Sequence, residues 1–184
     1  MKNPLSLLSL LAIIMLAVPF NALANDNDAG QWYIGVAYGN VSVKATGKGG
    51  STYRESSSGP GLRGYGGYNF NQGIGLELAS LDNADVLAPI ALTPKIMLAV
   101  GEKATLYGKL GMFWAEYDSD WSGSGLTAGF GLDLALNRVF RLRLSYDYLT
   151  ASMDFDGFNS PFNPPEPDVD VKSHIMMLGF HAGF

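Results

Sequence analysis

Along most of this chain apolar and polar residues alternate with a period of two, the mark of β-strands whose two faces meet different surroundings. The alternation is cleanest toward the C-terminus. Leu126, Ala128, Phe130, Leu132, Leu134 and Leu136 share one face of a run whose other face is Thr127, Gly129, Gly131 and Asp133. Phe140, Leu142, Leu144, Tyr146 and Tyr148 are set against Arg141, Arg143, Ser145 and Asp147, and Met176, Leu178, Phe180, Ala182 and Phe184 against Met177, Gly179, His181 and Gly183. A helical period would scatter charges among the apolar positions. Fainter copies lie upstream, with apolar faces Trp32-Ile34-Val36-Tyr38, Leu62-Gly64-Gly66-Tyr68-Phe70, Ile74-Leu76-Leu78, Ile90-Leu92-Pro94-Ile96-Leu98 and Leu106-Gly108-Leu110-Met112-Trp114.

Eight strands are therefore predicted. The connections alternate in length: long from Asn40 to Pro60, short from Asn71 to Gly73, modest from Asn83 to Pro89, short from Val100 to Ala104, modest from Asp118 to Gly125, short at Asn137-Arg138, and long from Ala151 to Asp170. Pro94 falls inside the fourth strand, where it removes a ladder donor, so a bulge or a shift of register is expected there.

Period two does not say which face is inside, and a soluble barrel of the lipocalin kind would show the same alternation inverted. Volume decides between them. An eight-stranded barrel has an interior only just filled by side chains, and the Leu, Phe, Trp and Tyr of these faces would overfill it, whereas the opposite faces carry Gly and charge. The predicted fold is all-β, an eight-stranded antiparallel up-and-down transmembrane β-barrel with its apolar face turned to lipid.

The N-terminus fits that destination. Met1-Lys2-Asn3-Pro4 precedes an apolar run from Leu5 to Phe20 and then Asn21-Ala22-Leu23-Ala24, the charged start, apolar middle and small-x-small exit of a secretory signal. Residues 1–24 are expected to be removed and residues 25–184 to form the barrel domain. The run is broken by Pro19 and is short for a retained spanning helix, which needs about 20 apolar residues. No cysteine occurs, which excludes a lipoprotein and a disulfide framework. Acidic residues outnumber basic ones by 17 to 12, and no concentrated basic face of the kind nucleic acid requires is present.

If the mature chain starts in the periplasm, short turns face that side and the longer connections face outward. Trp32, Tyr68, Phe70, Phe140 and Phe184 then fall at the periplasmic rim and Tyr38, Trp114 and Tyr148 at the outer rim. These are two aromatic girdles at headgroup level. The terminal series Leu178, Phe180, Ala182 and Phe184 resembles the strand signal that the outer-membrane insertion machinery reads.

Gly66-Gly67-Tyr68-Asn69-Phe70-Asn71 with Gly75-Leu76-Glu77-Leu78 resembles the second hairpin of the OmpA-type transmembrane domain. The resemblance continues through Leu92-Thr93-Pro94-Lys95, Leu106-Tyr107-Gly108-Lys109-Leu110-Gly111, Phe130-Gly131-Leu132-Asp133 and Arg143-Leu144-Ser145-Tyr146, and it is shared with the opacity-like outer-membrane barrels. It implies the outer membrane of a Gram-negative cell. The full-length family adds a peptidoglycan-binding domain after the barrel; the residues here stop at the eighth strand, so no tether to the cell wall is implied.

Parity places Arg63, Glu77, Lys95, Lys109, Asp133, Arg141, Arg143 and Asp147 inside, since Arg or Lys facing lipid at the midplane costs about 2–4 kcal/mol. In the resembled family the positions of Glu77, Lys95, Asp133 and Arg143 form a charged lumen plug whose partner exchange opens a small ion path. Two roles follow: a filled, rigid, structural barrel with surface contacts, or a small porin-like gated pore. A lipid A-modifying enzyme is the third class to weigh, but it needs a histidine beside a serine or a carboxylate. His174 has only Lys172 and Met176 beside it on its face, and His181 lies in the lumen. No cofactor pattern is present, and Asp154-Phe155-Asp156-Gly157 lacks the further spaced oxygens of a calcium loop. Lys44, Lys48 and Arg54 in the first outer connection and the acidic, Pro-rich last one are the expected contact surfaces. Expected partners are outer-membrane lipid, lipopolysaccharide and the insertion machinery, and the expected state is a monomer.

Overall fold

The computed structural model describes residues 30–47, 54–82, 89–117, 121–155 and 169–184. Residues 1–24, Lys48 and residues 156–168 of the acidic connection lie outside them. The described chain forms eight strands: β1 Gln31–Gly47, β2 Arg54–Asn69, β3 Ile74–Asp82, β4 Ile90–Val100, β5 Ala104–Tyr117, β6 Trp121–Ala135, β7 Phe140–Phe155 and β8 Val169–Gly183. Each is antiparallel to its neighbours in sequence, and β1 pairs with β8 to close the barrel. Among the described residues no helix is long and apolar enough to cross a membrane.

The faces sort as the alternation predicts. Ile96 is 72% exposed and Leu110 64% on the outside, while Glu77 on the inside is fully buried. Three tight turns connect strands at one end. Asn71 Oδ1 accepts from the amides of Gly73 at 2.7 Å and Ile74 at 2.9 Å, and Asn137 Oδ1 accepts from Val139 at 2.9 Å and Phe140 at 2.7 Å. Asn is suited to this because its side chain mimics a backbone turn. The third turn bends at Gly101, whose φ of 76° is strained for any residue with a Cβ.

Two expectations need correcting. Pro94 makes neither a bulge nor a slip. Leu92 opposite Met112 and Lys95 opposite Lys109 belong to one continuous register with β5, interrupted only at Thr93 and Pro94, and Pro94 still pairs with Leu76 on β3. In an antiparallel ladder a residue's N–H serves one neighbour only, so the missing donor is felt on one side.

The connections expected from Asn40 to Pro60, from Asp118 to Gly125 and from Ala151 to Asp170 are also largely strand: β1 continues to Gly47, β2 starts at Arg54, β6 starts at Trp121, β7 runs to Phe155 and β8 starts at Val169. Lys44 and Arg54 thus sit on strands. The period of two persists there with its polarity reversed. Beyond Tyr38 the outward residues are Asn40, Ser42, Lys44 and Thr46, and the buried inward ones are Val41, Val43 and Ala45. β8 does the same, with Lys172 and Asp170 outward and Val171 and Val169 buried inward. Away from the turn end the barrel has the polarity of a soluble barrel.

Candidate functional site in the lumen

The interior has two zones. Nearer the turn end, Glu77 on β3 stands among cations brought in by β2, β5 and β7. Lys109 Nζ donates to its Oε1 at 2.9 Å and Arg143 Nη1 to its Oε2 at 2.5 Å, while Arg63 Nη2 lies 3.9 Å from Oε1. Arg143 also grips Asp133 across the β6–β7 pair with two bonds, Nε to Oδ1 at 2.7 Å and Nη2 to Oδ2 at 2.9 Å. This bidentate fork is the strong form of a charge-assisted pair. Asp147 is paired with Arg63 Nη1, and its Oδ1 lies 3.0 Å from Lys109 Nζ, an ion contact without the alignment of a hydrogen bond. All these side chains are buried.

Lys95 is placed differently. Among the described residues no carboxylate lies within ion-pairing distance of it. Its Nζ donates to the Tyr33 hydroxyl at 3.0 Å and sits 4.1 Å over that ring's centroid, and the same hydroxyl donates to Glu77 Oε2 at 2.9 Å. Tyr33 thus bridges the ammonium and the carboxylate. Arg143 lies 4.5 Å from the Tyr65 ring and 4.7 Å from the Tyr107 ring, close enough for cation–π attraction. Of the four residues expected in the plug, Glu77, Asp133 and Arg143 are in direct contact and Lys95 reaches them through Tyr33. Missed at the level of sequence were the three tyrosines and the part played by Arg63, Lys109 and Asp147. The tyrosines were legible, for Tyr33, Tyr65 and Tyr107 hold the parity opposite to the lipid face.

Above this cluster the described lining of the lumen is mainly apolar, with Ser173 buried among it opposite Val43 and Leu149. Val41, Val43, Ala45, Leu81, Phe113, Leu149, Met153, Val169, Val171, Ile175 and Met177 form one buried group with neighbouring alanines. A cavity of about 20 Å³ lined by Arg63, Thr127, Asp147, Leu149 and Ile175 lies where the two zones meet, room for about one water molecule.

The two histidines are apart. His181 lies inside, its Nδ1 3.4 Å from the Tyr65 hydroxyl and its Nε2 4.0 Å from Asp133 Oδ2. His174 lies outside, with Nδ1 2.6 Å from the Tyr146 hydroxyl and its ring 5.1 Å from that of Tyr148. Ser42 is opposite His174 in register, but its hydroxyl accepts from Asn40 at 3.4 Å. Among the described residues no group of three or more His, Cys, Asp and Glu could hold a metal ion.

At the turn end Trp32 and Phe184 exchange two backbone hydrogen bonds, of 3.0 and 2.8 Å. Trp32 lies against Tyr68 with ring centroids 4.8 Å apart and the rings tilted by 51°, and Tyr68 meets Phe70 edge-on at 5.2 Å. Phe140 is exposed at this end, opposite Ala182, and Tyr38 and Trp114 are exposed on the outer surface farther along, with Tyr148 half-buried against His174.

A closed eight-stranded barrel, apolar outside and ion-paired within, defines an outer-membrane barrel protein. The chain belongs to the outer membrane protein beta-barrel domain family, whose model matches residues 8–181. No curated protein matches the sequence. Among solved structures it is similar to the outer membrane protein OprG from Pseudomonas aeruginosa, with 18% identity over 86% of this chain and 97% of that one and a TM-score of 0.56. It is also similar to Neisserial surface protein A, with 16% identity over 83% and 97% and a TM-score of 0.58. The outer membrane protein AlkL shows 13% identity over 91% and 96%, with a TM-score of 0.62. At these identities the likeness is one of fold.

Proposed function

We propose that this is a non-enzymatic structural barrel of the outer membrane that reinforces the envelope and presents a contact surface outside, with its lumen closed to solutes. The supporting observation is the double filling of the interior: a buried network centred on Glu77 and, stacked on it, the apolar group from Val41 to Met177. An ion crossing this lumen would have to break buried pairs, at about 3–5 kcal/mol for each partner lost, and then pass a zone lined mainly by apolar side chains. Purified protein in planar bilayers is expected to show no conductance steps, and a steady single-channel current would overturn the closed lumen.

In the same proposal residues 1–24 direct export and are cleaved, the turn end faces the periplasm, and Leu178, Phe180, Ala182 and Phe184 are read by the insertion machinery. The barrel works as a monomer among outer-membrane lipid and lipopolysaccharide. The name of Neisserial surface protein A, a barrel of similar fold, suits a surface role. Against an enzyme stands the engagement of His174 by a tyrosine rather than by a carboxylate, and unchanged lipid A after overexpression is the expected result.

The gated pore is the second reading, and Lys95 is what favours it. It is held by a hydroxyl and a ring rather than by a carboxylate, so it is the lumen cation freest to replace Arg143 on Glu77. Conductance that appears only in Glu77→Ala would support this reading over a permanently filled lumen.

A further inference from the structure

The outward faces of β2, β1, β8 and β7 carry an ordered set of rows. The apolar belt includes the row Leu62, Tyr38, Leu178 and Leu144. Two rows farther out stand Ser58, Ser42, His174 and Tyr148, and beyond them Ser56, Lys44, Lys172 and Thr150. Arg54, Thr46, Asp170 and Ser152 follow. Lys44 and Lys172 are direct partners across the β1–β8 seam and both are exposed. Directly opposed like charges destabilise a sheet, and these two lysines stand on backbones about 5 Å apart. Among the described residues no carboxylate is within ion-pairing distance of either. Among the described residues the nearest acid on this face is Asp170, one row farther out, whose Oδ1 accepts from the Ser152 hydroxyl at 2.9 Å. Glu55 stands on the opposite face of β2.

The rows beneath say what kind of anion belongs there. The His174 ring, held by the Tyr146 hydroxyl and lying against Tyr148, makes an aromatic shelf where the apolar belt ends, the level amphipathic rings occupy at a membrane surface. Lys172 is two residues farther out on the same strand, about 5 Å along the barrel axis for a tilted strand. A ligand matching this series has apolar chains against Leu178, Tyr38 and Leu144, a sugar-sized body on the shelf and a phosphate one step above it.

We infer that Lys44 and Lys172, flanked by Ser56 and Thr150, form a binding site for a phosphate of lipid A in the outer leaflet. The phosphate sits between the two ammoniums and accepts from both, with the hydroxyls at the sides. This rests on the proposal that lipopolysaccharide is a partner, and does not depend on whether the lumen conducts.

The test titrates purified barrel in detergent micelles with diphosphoryl lipid A and with fully dephosphorylated lipid A, bound lipid being counted by native mass spectrometry. Lys44→Gln with Lys172→Gln is expected to weaken binding of the diphosphoryl form by about tenfold, or 1.4 kcal/mol, and to leave the dephosphorylated form unaffected. Lys44→Arg with Lys172→Arg, which keeps both charges, is expected to retain binding. The heat-dependent gel shift of a closed barrel verifies folding of each variant. Equal binding of diphosphoryl lipid A by wild type and the double Gln variant overturns this site alone. Equal binding of the two lipids by the wild type likewise overturns the phosphate site, and binding of neither overturns the site and the wider partnership together.

Discussion

Lys95 reaches the phenolic oxygen of Tyr33, at 3.0 Å, and not the carboxylate of Glu77 that the same phenol binds. A buried ammonium is therefore satisfied at second hand, through a hydroxyl that accepts from it and donates onward. Lys109, equally buried, binds Glu77 directly and stands beside Asp147 as well.

The two lysines should respond differently to neutral replacement. Lys109→Met leaves two carboxylates short of a partner and is expected to cost about 3–5 kcal/mol, the usual penalty for removing one member of a buried pair. Lys95→Met strands no carboxylate and gives up one hydrogen bond and cation–π contacts with the Tyr33 and Tyr107 rings, together worth about 2 kcal/mol, offset by relief from burying a charge. Urea unfolding in lipid vesicles should place Lys95→Met clearly nearer wild type. The reverse order would show that Lys95 is a principal partner of the acids.

Glu77→Ala removes the centre of the network and leaves Lys109, Arg143 and Arg63 facing one another. A loss of about 3–5 kcal/mol is expected in the same assay. A loss below about 1 kcal/mol, the level of exposed pairs, would mean that water reaches this part of the lumen freely.

Gly67 is the space into which Tyr33 fits. A Cβ there would stand 2.5 Å from the Tyr33 hydroxyl oxygen and 2.2 Å from the carbonyl oxygen of Leu76. Overpacking typically costs about 1–3 kcal/mol, so Gly67→Ala should destabilise by that amount and displace the bridge to Lys95. Gly108→Ala, on the outside with no atom within 4 Å, serves as the control and should fall within about 0.5 kcal/mol of wild type.

The two Asn-capped turns predict matched losses. Asn71→Ala and Asn137→Ala each remove two side-chain bonds to backbone amides. About 1 kcal/mol is expected for each, given that the amides are exposed and water replaces part of the bonding. Losses that add in the double variant would confirm independent turns.

Strand number, order and facing were all legible in the sequence, because hydrocarbon outside and a narrow lumen inside impose opposite demands on alternate residues. What escaped was the stretch where those demands exchange. At Gly39-Asn40-Val41 the surroundings of β1 change from lipid to water, and the next inward residues become the apolar ones. Following apolar residues on a single parity ends the strand at Tyr38 and assigns Lys44 to a loop. Following the alternation regardless of sign carries it to Gly47. The lumen partners were half legible: parity puts Lys95 and Glu77 inside together, but side chains of this length leave their pairing to the tyrosines between them. Pro94 keeps its register because its missing donor touches one neighbour and leaves the rest of the ladder intact.

The seam between β1 and β8 joins the two ends of the strand order. Until those strands meet, each presents a row of unpaired backbone groups, and in hydrocarbon every such group costs several kcal/mol. A stepwise entry of hairpins into the bilayer would carry both raw edges through the apolar layer. Assembly of this chain therefore has to bring first and last strands together before or during the crossing, or else proceed on a catalyst that shields the edges until they zip.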